Sequence, residues 1–382
     1  MVYILTFIIF IILLSLLIIV HEFGHMYAAI KRGVQVDVFA IGFGKTIYSF
    51  KRKNIEYKIN ILPFGGYVSL LGEDNEDHGV PGSLSVASPI SKIIITGAGV
   101  VMNFILGIVF LFIFLVIVNF KFYYSNIIPN FKFAFGETQN SIIFSPVLSD
   151  KGSSLSKDGL KGMYLLYNIN GKKLNSFSAV QKYIDSNKGR NIDVEYYKIN
   201  SINLFGMNLS GLKSNEFFVR NKYPSNSGPL GVSLSEFSYL NFNTVKSKIL
   251  SVITFPYDIL ELTFSGMGYL VHQAVVTHNS SYVTSEVAGP VGIYLYTNLI
   301  FRVDGVTGII FIFGIISLSL AIMNLLPIPP LDGFFILLAV LEKFRIKLTH
   351  KLYYYLSIFG ITFFIILMVL VTINDLFNFH LI

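Results

Sequence analysis

The chain has 382 residues, of which 53% are hydrophobic and 13% are charged. Soluble domains carry about 25% charged residues, so this composition excludes an ordinary soluble protein. The formal net charge is +7, but the basic residues are scattered and form no nucleic-acid motif, so we expect no nucleic-acid partner. Because the chain has no cysteine, it forms no disulfide, and its redox compartment stays open.

Four uncharged apolar blocks dominate the hydropathy pattern, and each is long enough to cross a bilayer, which takes roughly 20 residues. The first block is too long for a signal peptide, no basic residue precedes it, and no small-residue cleavage site follows it. We therefore predict four permanent transmembrane helices. The blocks are Met1–Val20, Ile93–Phe120, Gly305–Leu331 and Leu352–Asn374.

The placement of basic residues predicts the orientation of these spans. Lysines and arginines follow span 1 (Lys31 to Lys58) and span 3 (Lys343 to Lys351), whereas the N-terminus and the tail after span 4 have none. Loops rich in Lys and Arg stay on the cytoplasmic side of a membrane. We therefore expect both termini to be extracytoplasmic.

The segment between spans 1 and 2 reads as β-structure. Apolar side chains alternate at Ile55, Tyr57, Ile59 and Ile61, and glycine pairs punctuate the segment, which favours β-hairpins over a helix. The stretch ILPFGGYVSLLG (61–72) is too apolar for a solvated loop. We predict that it dips into the membrane, where non-helical backbone is tolerated only against protein or a water-filled cavity.

Residues 121–248 form the one segment large enough for a soluble domain, and the predicted topology makes it extracytoplasmic. Its middle predicts the strand MYLLYNI, a turn at Asn170-Gly171, a strand KKL, the helix FSAVQKYIDSN and the strand NIDVEYYKI, which is an α+β order. The stretch from about 250 to 300 is amphipathic but too broken to span, so we expect it to lie at the membrane interface.

The sequence HEFGH at the end of span 1 places His21, Glu22 and His25 where charged groups are costly and therefore indicate function. On a helix, residues i and i+4 are about 40° apart around the axis and about 6 Å apart along it, so both imidazoles converge on one point. Imidazole is a preferred zinc ligand, and a neighbouring carboxylate can take a proton from the attacking water. The trio predicts a hydrolytic zinc site.

A third protein ligand is expected, because hydrolytic zinc sites usually combine three side chains with one open position. It must come from the cytoplasmic end of another span, which excludes Asp304 and Asp375 at the opposite ends, about 30 Å away. Asp332 closes span 3 on the correct side, in NLLPIPPLDG, where the prolines prevent a regular helix. Glu342 and His350 lie on that side among basic residues, where a solvated face is expected.

The remaining histidines are expected to be surface or interface residues without a role in the site. They are His78, His272, His278 and His380.

The pairing of HExxH at the end of span 1 with NxxPxPxLDG closing a later span resembles the site-2 proteases. The closest group is the bacterial regulator of sigma-E protease type, which are intramembrane zinc metalloproteases. The resemblance extends to GFG, LPFGGYV, GAGVVMN (97–103), a PDZ-like soluble region and AGPVGI, and so covers nearly the whole chain. Two positions depart from the family pattern: Val100 stands where proline is common, and the PDZ-like region lacks an aspartate after Gly159-Leu160-Lys161-Gly162-Met163.

The resemblance implies zinc as the cofactor and assigns roles to particular residues. His21, His25 and Asp332 would bind zinc, Glu22 would activate the water, and Asn324 would help to hold the substrate backbone. The hairpin at Gly65, Gly66 and Tyr67 would offer a strand edge to the substrate; a simple anchoring loop is the alternative for this hairpin. The expected substrates are transmembrane helices of single-span proteins, such as anti-sigma factors, or signal-peptide remnants.

Two other classes of function stay open at this stage. A catalytically silent scaffold would bind partners through the PDZ-like domain, although all four site residues are present. A metal transporter would need more polar residues in mid-membrane than Asn103, Ser357 and Thr362. The PDZ-like domain itself could bind a chain end or act as a spacer or size filter.

The predicted fold is a mainly α integral membrane protein of the bacterial cytoplasmic membrane, with a membrane-dipping β region and an inserted PDZ-like α+β domain. The predicted segments are span 1 with HEFGH (1–30), the β region (31–92), span 2 (93–120), the PDZ-like domain (121–248), the interfacial segment (249–304), span 3 with LDG (305–333), a cytoplasmic loop (334–351), and span 4 with the tail (352–382).

Overall fold

A computed structural model describes most of the chain. The described residues are 2–73, 79–124, 128, 131, 133–147, 160–203, 206–223, 228–346 and 349–379. His78, Gly159 and His380, which the sequence analysis named, lie outside them.

The described chain divides into two compact units. Unit 1 comprises Met1–Ile113 and Leu270–Ile382, and unit 2 comprises Phe114–Tyr269. The helices are α1 (Val2–Lys31), α2 (Pro89–Ile117), α3 (Phe177–Ser186), α4 (Val245–Thr277), α5 (Ser281–Thr284), α6 (Pro290–Asn324), α7 (Asp332–Lys343) and α8 (His350–Asn378). The strands are β1 (Val36–Arg52), β2 (Ile55–Leu70), β3 (Lys121–Tyr124), β4 (Glu137–Pro146), β5 (Tyr164–Ile169), β6 (Asn191–Asn203), β7 (Gly206–Phe218) and β8 (Val232–Asn241).

Four of these helices, α1, α2, α6 and α8, are long and apolar enough to cross a membrane. They match the four predicted blocks in number and order, so the prediction of four spanning helices in an integral membrane protein is confirmed. Large apolar side chains on their outer faces are exposed, which is the arrangement expected when lipid is the solvent.

The third span differs from its predicted bounds at both ends. Helix α6 begins at Pro290, fifteen residues earlier than expected, but it is kinked at the predicted start, Gly305, which adopts a non-helical φ of 62°. It ends at Asn324, so Pro327 to Leu331 form a turn, and Asp332 opens the new helix α7 where the sequence analysis expected a loop. Because Pro lacks an amide hydrogen, the three prolines end the helix before Asp332.

Strands β1 and β2 fill the segment in which alternation predicted β-structure. The register pairs Val36 with Leu70 at one end and Arg52 with Ile55 at the other. A Cβ at Gly66 would lie 2.6 Å from the carbonyl oxygen of Ala40, so this glycine is required where the two strands approach closely.

Unit 2 is built on a six-stranded antiparallel sheet of order β3-β8-β4-β5-β6-β7. Helix α3 packs Val180 and Ile184 into a core that includes Phe144, Tyr196 and Phe217. Strand β5, the Asn170-Gly171 turn, α3 and β6 follow the predicted order, whereas KKL forms only an isolated bridge at Lys172.

Helix α4 is longer and more regular than the sequence suggested. The stretch from about 250 to 300 is interrupted at 278–280 and 285–289, as expected, but its first part belongs to one helix of 33 residues that contains Pro256. It is not among the helices apolar enough to span, because polar and charged residues recur along it.

Candidate metal centre

The metal centre lies in unit 1 and brings together three side chains predicted to bind zinc. His21 and His25 lie one turn apart on α1 and are buried, and Asp332 lies at the start of α7. Their ligand atoms all lie within 4.8 Å of one another. The two Nε2 atoms are 3.1 Å apart. Oδ2 of Asp332 lies 3.1 Å from Nε2 of His21 and 3.4 Å from Nε2 of His25.

These separations fit a tetrahedral zinc ion. With bonds of about 2.0–2.1 Å, the ligand atoms of a tetrahedron are about 3.3 Å apart. Two imidazole nitrogens and one carboxylate oxygen also form the donor set of many hydrolytic zinc sites. The three residues can therefore hold zinc and leave a fourth position open.

Each imidazole has a polar neighbour at Nδ1, the ring nitrogen that faces away from the other candidate ligands. Nδ1 of His25 donates to the carbonyl oxygen of Ile95 on α2 at 2.8 Å, which leaves the lone pair on Nε2 for the metal. Nδ1 of His21 lies 3.3 Å from the side-chain amide of Asn103, whose buried Oδ1 has no other partner. Turning this amide by 180° would place Oδ1 where Nδ1–H of His21 can donate to it.

Two glycines let α2 approach the HEFGH turn. A Cβ at Gly24 would lie 2.8 Å from the carbonyl carbon of Ala98, and a Cβ at Gly99 would strike the rings of both histidines. Sequence reasoning missed Ile95, Gly99 and Asn103 as parts of this site. The signal for Gly99 and Asn103 was GAGVVMN (97–103), which the family resemblance included without a role.

The carboxylate of Glu22 faces the same site. Its Oε2 accepts a hydrogen bond from the backbone N–H of Val68 on β2 at 3.1 Å, which leaves Oε1 free for a proton. Val68 was not predicted as a site residue.

A cavity of about 890 Å³ opens beside the ligands. Tyr67 and Asn324, both predicted to contact substrate, line it together with Glu22. Gly65 and Gly66 are buried within the β1–β2 region and do not line this cavity. Glu342, expected on a solvated face, also lines the cavity, where its carboxylate accepts from Nζ of Lys92 at 2.8 Å.

The other candidates lie away from the metal centre. Asp375 is buried against the start of α6. His272 and His278 are exposed on α4 and just after it, as expected for surface residues.

A membrane helix that carries HExxH beside an aspartate from a second helical segment defines a membrane metallopeptidase. Comparison with known proteins agrees: the model of peptidase family M50 matches residues 9–369, so the chain belongs to this family. It is a zinc metalloprotease of the site-2 type.

Its relatives cover almost the whole chain. A Campylobacter jejuni protein whose name assigns it to the zinc metalloproteases is 31% identical over 96% of this chain and 92% of its own length. The regulator of sigma-W protease RasP of Bacillus subtilis is 25% identical over 97% of this chain and 98% of its own length. The zinc metalloprotease RasP of Shouchella clausii is 24% identical, with the same coverage of both chains.

Proposed function

We propose that this protein hydrolyses peptide bonds within the transmembrane segments of single-span membrane proteins. The observation that carries the proposal is the position of the candidate ligands. His21 and His25 belong to a helix that is apolar enough to span, and Asp332 meets them from the start of α7, just after the spanning helix α6. A site built on spanning helices can reach a peptide bond that a soluble protease cannot.

The site residues divide the chemistry between them. His21, His25 and Asp332 would hold zinc, which when bound polarises a carbonyl and lowers the pKa of water. Glu22 takes the proton from the attacking water on Oε1 and passes it to the leaving amine. The N–H of Val68 holds the other carboxylate oxygen, so the base is already oriented toward the cavity.

Substrate must be unwound before its backbone can react, because the carbonyls of a transmembrane helix are hydrogen-bonded and covered by side chains. Residues Tyr67 and Val68 of β2 line the cavity, so the substrate can pair with this strand and replace its lost hydrogen bonds. Asn324, at the end of α6, also lines the cavity and can bind the substrate backbone.

The substrate class follows from the same topology. We propose that the protein lies in the bacterial cytoplasmic membrane, with both termini extracytoplasmic, the β1–β2 region dipping into the bilayer and the active site near the cytoplasmic side. Since one relative is named for regulation of sigma-W, anti-sigma factors are candidate substrates, as are signal-peptide remnants. Unit 2 is proposed to be a PDZ-like module that binds a chain end or excludes substrates with bulky extracytoplasmic domains.

The test replaces the proposed base. Purified Glu22→Gln should keep its zinc but lose cleavage of a single-span substrate by about 10²–10⁴-fold, the usual contribution of a general base. Glu56→Gln is the matched control, since among the described residues Glu56 forms an ion pair only with the half-buried Lys58 on the β1–β2 region. This control should cleave like the unmodified protein.

Each outcome separates the proposal from its rivals. Zinc in both proteins, with cleavage that a zinc chelator stops and added zinc restores, supports the protease. A silent scaffold would contain no zinc and cleave nothing. A transporter would bind zinc, leave the substrate intact and move the ion across a vesicle membrane. Unchanged cleavage by Glu22→Gln would refute the role of Glu22.

A further inference from the structure

Helix α8 makes few contacts with the rest of unit 1. Only 6% of its apolar window is buried, against 39% for α6. Two groups of contacts nevertheless hold it, one near its middle and one near its end. They involve two features that the proposed mechanism does not use, a close backbone approach and a buried carboxylate.

The first contact lies beside the turn that carries Asp332. Gly360 of α8 is buried against Pro329, and a Cβ at this position would overlap the Pro329 carbonyl group. Seven residues before Gly360 on the same helix, the ring of Tyr353 stacks on Phe334 with ring centroids 6.2 Å apart. Helix α8 therefore contacts the chain on both sides of Asp332.

The second contact joins the end of α8 to the start of α6. The carboxylate of the buried Asp375 accepts hydrogen bonds from the backbone N–H groups of Gly289 at 2.9 Å and Gly292 at 2.8 Å. A carboxylate is favoured at a helix N-terminus, where amide hydrogens lack partners within the helix. Asn374 and Asn378 add bonds to the carbonyl oxygen of Thr284 at 2.8 and 2.9 Å.

This contact explains the glycines of the AGPVGI stretch. A Cβ at Gly289 would lie 2.8 Å from one carboxylate oxygen of Asp375, and a Cβ at Gly292 would lie 2.6 Å from the other. Both positions must stay small for the carboxylate to reach the amides.

We propose that α8 is a positioning helix for the metal centre. Asp375 anchors its end to α6, and the contact of Gly360 with Pro329 then sets how close Asp332 lies to His21 and His25. Gly360 and Asp375 are positioning residues, since neither contacts the metal ligands' donor atoms. The inference rests on the proposed role of Asp332 as a zinc ligand.

The test measures zinc affinity of the full chain in detergent, by competition with a chromogenic chelator. Gly360→Ala should weaken zinc binding tenfold or more, the loss typical when support behind a ligand is disturbed. Gly268→Ala is the matched control, because Gly268 also lies in a helix and has no atom within 4 Å of its Cβ position. The control should bind zinc like the unmodified protein.

Excess zinc distinguishes positioning from misfolding. If Gly360→Ala keeps the zinc-free melting temperature and regains cleavage at high zinc, the substitution has altered the site and not the fold. Asp375→Asn is the second variant, because it keeps one acceptor oxygen and the same shape. Asp375→Asn should also weaken zinc binding relative to the unmodified protein. Asp375→Ala, which leaves two backbone amides unpaired, should weaken it more than Asp375→Asn does.

The two proposals fail in different ways. If the unmodified protein binds no zinc, the proposed function fails. If it binds zinc, and both Gly360→Ala and Asp375→Asn bind zinc as tightly, the positioning role of α8 is wrong while the metal centre stands.

Discussion

At the scale of single residues, the metal centre depends on glycines, which leave room for the imidazoles, as much as on the candidate ligands themselves. Gly99 lies where a Cβ would strike both imidazoles, whereas a Cβ at Gly97, two residues earlier, would find its nearest neighbour, Cδ1 of Ile336, at 3.8 Å. The same substitution at these two positions of α2 should therefore have opposite effects.

Gly99→Ala should displace His21 and His25 and lower zinc occupancy and cleavage at least tenfold. Gly97→Ala should keep full activity, and its stability should be equal or higher, because alanine favours a helix by about 1 kcal/mol over glycine. Zinc content and cleavage rates of the two purified variants check this. Equal activity of both would show that the helices can separate without cost to the site.

The clustering of the candidate ligands could be predicted from the sequence, because both histidines lie on one helix and their spacing alone makes them converge. Asp332 could be predicted by combining the LDG motif with topology. Asn103 and the carbonyl oxygen of Ile95 could not, because a hydrogen bond between different helices leaves no spacing pattern in the sequence.

At the scale of elements, composition predicted the spanning helices but not their ends. Helix α6 starts at Pro290, which is favoured in a first turn, and its start is stabilised by Asp375, more than eighty residues later. No local pattern contains that partner. The predicted start of span 3 at Gly305, next to the charged residues Arg302 and Asp304, coincides with a kink in α6 where the backbone is non-helical.

Within unit 2, a buried carboxylate joins α4 to the segment before β4. Oδ1 of the fully buried Asp258 accepts from the backbone N–H of Phe135 at 3.2 Å, while Oδ2 has no partner. Burial, together with the nearby charge of Glu261, raises the pKa of Asp258 to about 7. The side chain is thus costly when ionised.

Unit 2 should therefore be more stable in mild acid than in mild alkali. A carboxyl group whose pKa is raised on folding stabilises the folded state when it is protonated. This contribution is fully present below the pKa of the unfolded state, near 4, and is lost as the pH rises to the folded pKa of about 7. The difference should be on the order of 2–4 kcal/mol. Asp258→Asn should remove this pH dependence and increase stability at pH 8.

Hydrogen exchange of the full chain, followed on peptides from β4 and corrected for intrinsic rates, measures this effect. Asp185→Asn is a suitable control, since Asp185 is an exposed partner of Lys188 in the same unit. Protection that rises with pH in the unmodified protein would contradict the prediction.

At the scale of the whole molecule, the function depends on which side of the membrane each segment occupies. The chain has no cysteine, so single cysteines can report their side without background. Ser49 lies in β1, between spans 1 and 2, and Phe344 lies between spans 3 and 4; both are exposed. Gly211, exposed on β7, lies between spans 2 and 3.

Ser49→Cys and Phe344→Cys should react with a membrane-impermeant maleimide only in inside-out vesicles. Gly211→Cys should react only in cells whose cytoplasmic membrane is sealed and whose outer face is accessible to the reagent. The physical reason is the excess of Lys and Arg in the first and third connections, which keeps them cytoplasmic. The reverse labelling pattern would show that the protein has the opposite orientation in the membrane, with the metal centre near the outer leaflet. If all three cysteines reacted from one side, helices α2 and α6 would not cross the membrane, and HExxH could not meet Asp332 within it.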